Sequence, residues 1–158
     1  MWSSGSSVGV IKYTIMSINT KTKGNKAEAV VLSEFIKHNI PVLLPFGDNE
    51  KYDLVVQLGN EFKSVQVKYG RSENGCIVAD IRHKIGVKRI SYGTYYDKVD
   101  FIAIWSEFYN KTYLIDLKAF GDKTQAKLRI DNPKNNSSIS TVCWASDYEL
   151  SNVLKNIL

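Results

Sequence analysis

Apolar and polar positions recur along this chain in two rhythms, and the changes between them mark out its elements. GNKAEAVVLSEFIKHN (24–39) has a helical period, with Ala27, Val30, Val31 and Phe35 on one stripe. Asn39 and Pro41 supply its end. PVLLPFG (41–47) predicts a short buried strand. YDLVVQLGNEFKSVQVKYG (52–70) reads as two strands around Gly59-Asn60, a pair that tolerates positive φ and suits a tight hairpin. GCIVADIRH (75–83) alternates as a further sheet strand, and KIGVKRISYGTYYDK (84–98), with two glycines and three tyrosines, predicts a loop. VDFIAIW (99–105) and TYLIDL (112–117) form a second apolar hairpin. AKLRI (126–130) adds a strand before the polar loop DNPKNNSS. Leu150, Val153, Leu154 and Ile157 predict a final helix, with Ser146 and Glu149 as its capping box. This order implies an α/β fold, a single domain whose central mixed β-sheet is flanked by helices.

The hairpin at 52–70 carries polar residues that its apolar run does not explain. With a two-residue turn at Gly59-Asn60, Leu58 faces Glu61 and Asp53 falls opposite Gln66 on one face of the sheet. Lys68, two residues on, shares that face, while Val65 and Val67 turn with Leu54 into a core. A loop one residue longer or shorter would flip the faces, so the constellation depends on the turn.

At 158 residues the chain suits one domain with a real core. No run approaches the roughly 18 apolar residues of a membrane helix, so no membrane partner is expected. Residues 1–20 read as a flexible N-terminal tail and 21–158 as the folded domain. Lys12 interrupts the short apolar stretch that a signal peptide would need. Cys76 and Cys143 are far apart with no neighbouring histidine, which gives neither a zinc pattern nor a disulfide framework and implies a reduced, cytoplasmic setting. The net charge of +5 suits a polyanionic partner. It is concentrated at 61–90, which includes Arg71, Arg82, Lys84, Lys88 and Arg89, and at 118–134, which includes Lys127 and Arg129. Tyrosines 92, 95 and 96 interleave with the first stretch, as a phosphate-tracking surface would.

Glu28 completes a candidate site. It lies at the edge of the helical stripe, with Leu32 and Phe35 at i+4 and i+7, so its carboxylate faces the sheet margin. Glu28, Asp53, Gln66 and Lys68 then supply two carboxylates, one neutral oxygen and one cation. Hard oxygen donors of this kind suit Mg²⁺, which retains waters and accepts phosphate oxygens. Singly, each residue has a plainer reading: a helix-surface ion pair for Glu28, a strand start for Asp53, solvent-facing polarity for Gln66 and Lys68. Their joint placement favours a site.

These residues resemble the PD-(D/E)XK nuclease superfamily, in which a helix acid, a strand Asp and a (D/E)-x-K on the next strand surround one or two divalent metals. The matching positions are Glu28, Asp53, Gln66 and Lys68. PFGDN, YDLVV and QVKYG, with Tyr96, Val99, Asp100 and Trp144–Tyr148, resemble the branch of group I intron-encoded homing endonucleases. The resemblance implies a restriction-endonuclease-like core and Mg²⁺-dependent, site-specific cutting of double-stranded DNA, with Mn²⁺ as a substitute. It also implies Glu28, Asp53, Gln66 and the Val67 carbonyl as metal ligands and Lys68 as the catalytic lysine. Gln66 departs from the acid usual at its position, so the site carries one negative charge fewer and favours one tightly bound metal. Asp48 is a spare carboxylate nearby.

Arg71, Arg82, Lys84, Lys88, Arg89, Lys127 and Arg129 are the candidate DNA contacts. A homo-oligomer, dimer or tetramer, is expected because one small centre cuts one strand at a time. Competing readings are a structure-selective Holliday-junction resolvase, a DNA-binding protein without the chemistry, and a basic interaction domain with no nucleic-acid role.

Overall fold

A computed structural model describes residues 19–47, 49–85, 91–132 and 142–158. Helix α1 spans Thr20–Lys37. It starts four residues before the expected Gly24 because the Asn19 side chain accepts the Thr22 N–H at 2.8 Å and caps the helix there. Asn39, at φ 58°, turns the chain out of it. The buried face is Ala27, Val31 and Phe35.

The next segment corrects the sequence reading. Strand β1 is only Val42–Leu43, paired antiparallel with β2 (Leu54–Leu58) at the sheet edge. Pro41 and Pro45 flank it, each lacking an N–H for a ladder, so pairing cannot extend. Leu43, Leu44 and Phe46 are exposed, where a buried strand was expected.

Strand β3 (Glu61–Glu73) is the axis of the sheet. Its first half pairs with β2 in the expected register, Leu58 with Glu61 and Leu54 with Val65. Of the turn pair, Gly59 alone takes a positive φ, +60°. On its other side β3 runs parallel to β7 (Phe101–Ser106), from Val65 opposite Phe101 to Gly70 opposite Ser106. β7 continues through an antiparallel hairpin into β8 (Lys111–Asp116). The far end of β3 turns at Asn74-Gly75 into β4 (Cys76–Asp80), and β4 pairs with β9 (Gln125–Arg129). Among the described residues this makes one seven-stranded mixed sheet.

The expected strand at 75–83 is two strands. The chain leaves the sheet at Ile81, whose N–H bonds the Thr124 carbonyl. It then forms β5 (Arg82–Ile85), which pairs with β6 (Ser91–Thr94) as a separate ribbon. A loop was expected there; Gly93 hides the strand from pattern reading but fits it, since a Cβ at that position would come within 2.7 Å of Ile85 and 3.0 Å of His83.

Two apolar clusters flank the sheet. One joins Val31 and Phe35 of α1 to Val56, Val65, Val67, Ala103 and Leu114, closed by Leu150 and Leu154 of α3 (Leu150–Ile157). The other joins Ile77, Ile102, Ile104, Tyr113 and Leu128 with Tyr95 and Phe120 of the short helix α2 (Leu117–Phe120). All six residues of β7 are buried, as befits a strand covered on both faces. The capping box does not form: Ser146 lies in a 3₁₀ turn (Ala145–Tyr148), and the Glu149 carboxylate pairs with Lys111.

Candidate active site

The turn at Gly59 places Asp53 beside β3. The β2–β3 register ends with Leu54 opposite Val65, and Asp53 leaves it by one step, donating its N–H to that same Val65 carbonyl at 2.9 Å. Its Oδ2 accepts the Val67 N–H at 2.7 Å and the Gln66 side-chain amide. That amide also reaches the Val67 carbonyl at 3.3 Å. Gln66 is 9% exposed, so its polar group is committed to this cluster and not to bulk water. With the nitrogen engaged, Oε1 is the atom Gln66 can offer an ion.

Charge coupling brings in the other two residues. Burial holds the Asp53 carboxyl above the usual carboxylate range, opposed by the Val67 N–H, the Lys68 charge and the Gln66 amide. Burial, and then the nearby Asp53 charge, push the Glu28 carboxyl up as well, with Lys68 opposing. Glu28, Asp53 and Lys68 thus lie within one electrostatic neighbourhood at the end of the β2–β3 hairpin. A cavity of about 270 Å³ opens there, lined by Glu28, Pro45, Gly47, Glu50, Tyr52 and Asp53.

This donor set fits a divalent cation. Two partly buried carboxylates, one of them pushed up further by the charge of the other, are an arrangement a positive ion relieves. Glu28, Asp53, the Gln66 amide oxygen and the Val67 carbonyl offer hard oxygen donors of the kind that suits Mg²⁺. Among the described residues no group of three His, Cys, Asp or Glu side chains could hold a metal ion, so the amide and carbonyl oxygens would have to complete the set. Asp48 lies outside the described residues.

The sequence reading missed two neighbours. Glu50 lines the cavity, and Tyr95 receives Lys68, whose Nζ donates to the Tyr95 hydroxyl at 3.1 Å. Asp100 has a structural part: its Oδ2 accepts both the N–H and the hydroxyl of Ser64 at 2.8 Å, which pins the start of β7 to β3. Tyr148 packs edge-on against Phe120, with centroids 6.0 Å apart.

The candidate DNA contacts divide into two groups. Arg71 and Lys127 both pair with Val78, and Arg129 pairs with Cys76, so all three share one face of β3, β4 and β9. A cavity of about 380 Å³ is lined there by Lys123, Lys127 and Arg129 with Gln125, and no described carboxylate lines it. Arg71 is tied to Glu73 at 3.1 Å. Arg82 and Lys84 stand on the β5–β6 ribbon, where Arg82 pairs with Asp80 and stacks 4.8 Å from the Tyr92 ring. Lys88 and Arg89 lie outside the described residues.

Glu28 of α1, Asp53 just before β2 and Lys68 of β3 lie in one charge-coupled neighbourhood beside the mixed sheet. The sequence matches the family model of the PD-(D/E)XK endonuclease over residues 18–151, and the chain belongs to that family. It is an endonuclease. Its fold is similar to that of the bacterial homing endonuclease I-Ssp6803I, with a TM-score of 0.68 and 23% identity over 87% of this chain and 94% of that one. No curated protein matches the chain. No described helix is long and apolar enough to cross a membrane.

Proposed function

We propose that the protein is a Mg²⁺-dependent, site-specific endonuclease of the homing type that hydrolyses phosphodiester bonds in double-stranded DNA, with Mn²⁺ able to substitute. The observation that carries this reading is the convergence of Asp53, Gln66 and the Val67 N–H on one hydrogen-bonded cluster, coupled by charge to Glu28 and Lys68. Glu28, Asp53, Gln66 Oε1 and the Val67 carbonyl would hold the ion, which when bound supplies charge neutralisation at the scissile phosphate and a water acidic enough to attack at neutral pH. Asp53 Oδ2 is held by the Val67 N–H and the Gln66 amide, which leaves Oδ1 as the oxygen that would be offered to an ion. Lys68 stabilises the negative charge that builds on the phosphate or holds the attacking water.

Arg71, Lys127 and Arg129 on one face, and Arg82 and Lys84 on the ribbon, fit the two tasks of DNA recognition, and Lys88 and Arg89, between β5 and β6 in sequence, are further candidates. The first group would follow the phosphate backbone, and the ribbon has the width to enter a major groove. A double-strand break needs two such centres, which supports a homodimer or tetramer. The likeness to a homing endonuclease supports a sequence-specific target over a junction. Two free cysteines support a reducing, cytoplasmic setting.

Sequencing the ends produced from a randomised plasmid library tests the homing reading. Ends that share a sequence are expected. Cutting that follows the shape of a four-way junction whatever its sequence would assign the protein to junction resolution instead.

A further inference from the structure

Among the described residues Lys68 makes no ion pair; its ammonium sits 3.1 Å from the Tyr95 hydroxyl and 4.6 Å from the centre of that ring. A carboxylate partner would cancel the charge that the reaction needs. A phenol accepts a hydrogen bond from one ammonium N–H, offers its ring to the cation, and leaves the charge intact. A lysine has about 2 kcal/mol of rotamer freedom, so a fixed neutral partner is what keeps its nitrogen in one place. Tyr95 meets that requirement. It is 7% exposed, and its carbonyl accepts the N–H groups of Lys98 at 2.9 Å and Val99 at 3.3 Å.

Tyr95 also reaches the ribbon. It follows β6 directly, and the His83 ring of β5 packs edge-on against it with centroids 5.2 Å apart. His83 lies opposite Gly93, where a side chain would crowd the imidazole. The residues beside His83 are Arg82 and Lys84, both candidate DNA contacts.

We propose that Tyr95 is a positioning residue for Lys68, and that His83 sets Tyr95, so that the ribbon and the cleavage centre share one mechanical link. This rests on the nuclease reading for its consequence in cleavage, while the contact itself can be tested without it. Tyr95→Phe keeps the ring and its packing on His83 and removes only the hydroxyl. Loss of a hydrogen bond to a charged group predicts single-turnover cleavage of prebound DNA slower by about tenfold or more, with DNA affinity in EDTA changed less than about twofold and thermal stability retained. His83→Ala should slow the same step, and His83→Phe, which restores an aromatic partner, should recover it. In protein labelled with ¹⁵N-lysine, the Lys68 ammonium signal, assigned by its loss in Lys68→Ala, should broaden in Tyr95→Phe as the ammonium becomes free to exchange with water. An unchanged ammonium signal together with wild-type cleavage in Tyr95→Phe would overturn the proposal and leave the nuclease reading intact. If the wild type cuts none of the DNA offered, the nuclease reading fails, and the ammonium signal alone decides the positioning role.

Discussion

Replacing Gln66 by Glu restores the acid usual in the family and should expose what the amide does here. The Gln66 amide donates to Asp53 Oδ2, and Asp53 already has a raised proton affinity from burial. Gln66→Glu removes that donor and sets a second carboxylate against the first. Losing a hydrogen bond to a charged group costs about 1.5–3 kcal/mol. Like charges about 4 Å apart repel by about 4 kcal/mol at an effective dielectric of 20. The repulsion has a ceiling, because one carboxyl can take up a proton; at pH 7, from an ordinary pKa near 4.3, that costs roughly 3.7 kcal/mol. The metal-free variant should therefore be less stable by about 2–4 kcal/mol at pH 7, a fall in melting temperature of roughly 5–15 °C for a domain of this size.

The pH dependence has a definite sign. The new pair has a folded-state pKa above its unfolded value, so the penalty is present at neutral pH and fades as pH falls through the folded pKa. Added Mg²⁺ should do the same work at pH 7, since binding to the folded state at tenfold its dissociation constant contributes about 1.4 kcal/mol. The Mg²⁺-induced shift should accordingly be larger in Gln66→Glu than in wild type. Thermal denaturation in EDTA and across a Mg²⁺ titration, at pH 5 and pH 7, reads all of this. An unchanged melting temperature in EDTA with an unchanged Mg²⁺ response would refute both the Asp53–Gln66 contact and Gln66 as a ligand.

Other outcomes follow from the same geometry. Glu28→Gln removes a carboxylate that burial and Asp53 make costly to ionise; the variant should melt higher than wild type in EDTA, gain less from Mg²⁺, and cut about 100-fold more slowly or worse. Equal Mg²⁺ stabilisation in both proteins would remove Glu28 from the ligand set. Gly70→Ala would bring a Cβ to 2.7 Å from the Ile104 methyl and 2.8 Å from that of Ile77. Overpacking of this kind costs about 1–3 kcal/mol and should lower the denaturation midpoint; a wild-type midpoint would contradict the close packing of β3 on that face. Lys127→Ala with Arg129→Ala should flatten the plot of log affinity against log salt by about 1.8 if each meets one phosphate. An unchanged slope would take β9 out of the interface.

How far the sequence reaches varies along the chain. The register of β2 on β3 was legible because one turn fixes it: once Gly59-Asn60 closes the hairpin, Leu54 must face Val65, and Gln66 and Lys68 must share one face; the Asp53 backbone steps out of that register, and its side chain meets Gln66 all the same. Glu28 was legible because the apolar stripe of α1 places its neighbours. The start of α1 was less so, since Asn19 caps the helix ahead of a glycine that looked like its boundary. The apolar run at 41–47 misled, because proline limits pairing in a way that hydrophobicity does not report. The β5–β6 ribbon was hidden by Gly93, whose missing side chain is the condition for His83 to fit. Tyr95 lies 27 residues beyond Lys68, and no local pattern signals a contact that β3 and the ribbon make only after folding. The Ser146–Glu149 signature failed for a related reason, since Lys111 of a distant strand takes the carboxylate.

The proposed function stands on Glu28, Asp53, Gln66 and Lys68 acting as one metal-dependent centre for DNA cleavage. Supercoiled-plasmid cleavage in Mg²⁺, with wild type beside Lys68→Ala and an EDTA control, tests it most directly. The wild type should cut, EDTA should abolish the cutting, and Lys68→Ala should reduce it by about 100- to 1,000-fold, with DNA binding by the variant retained. Cleavage by Lys68→Ala at the wild-type rate, or wild-type cleavage that persists in EDTA, would contradict it.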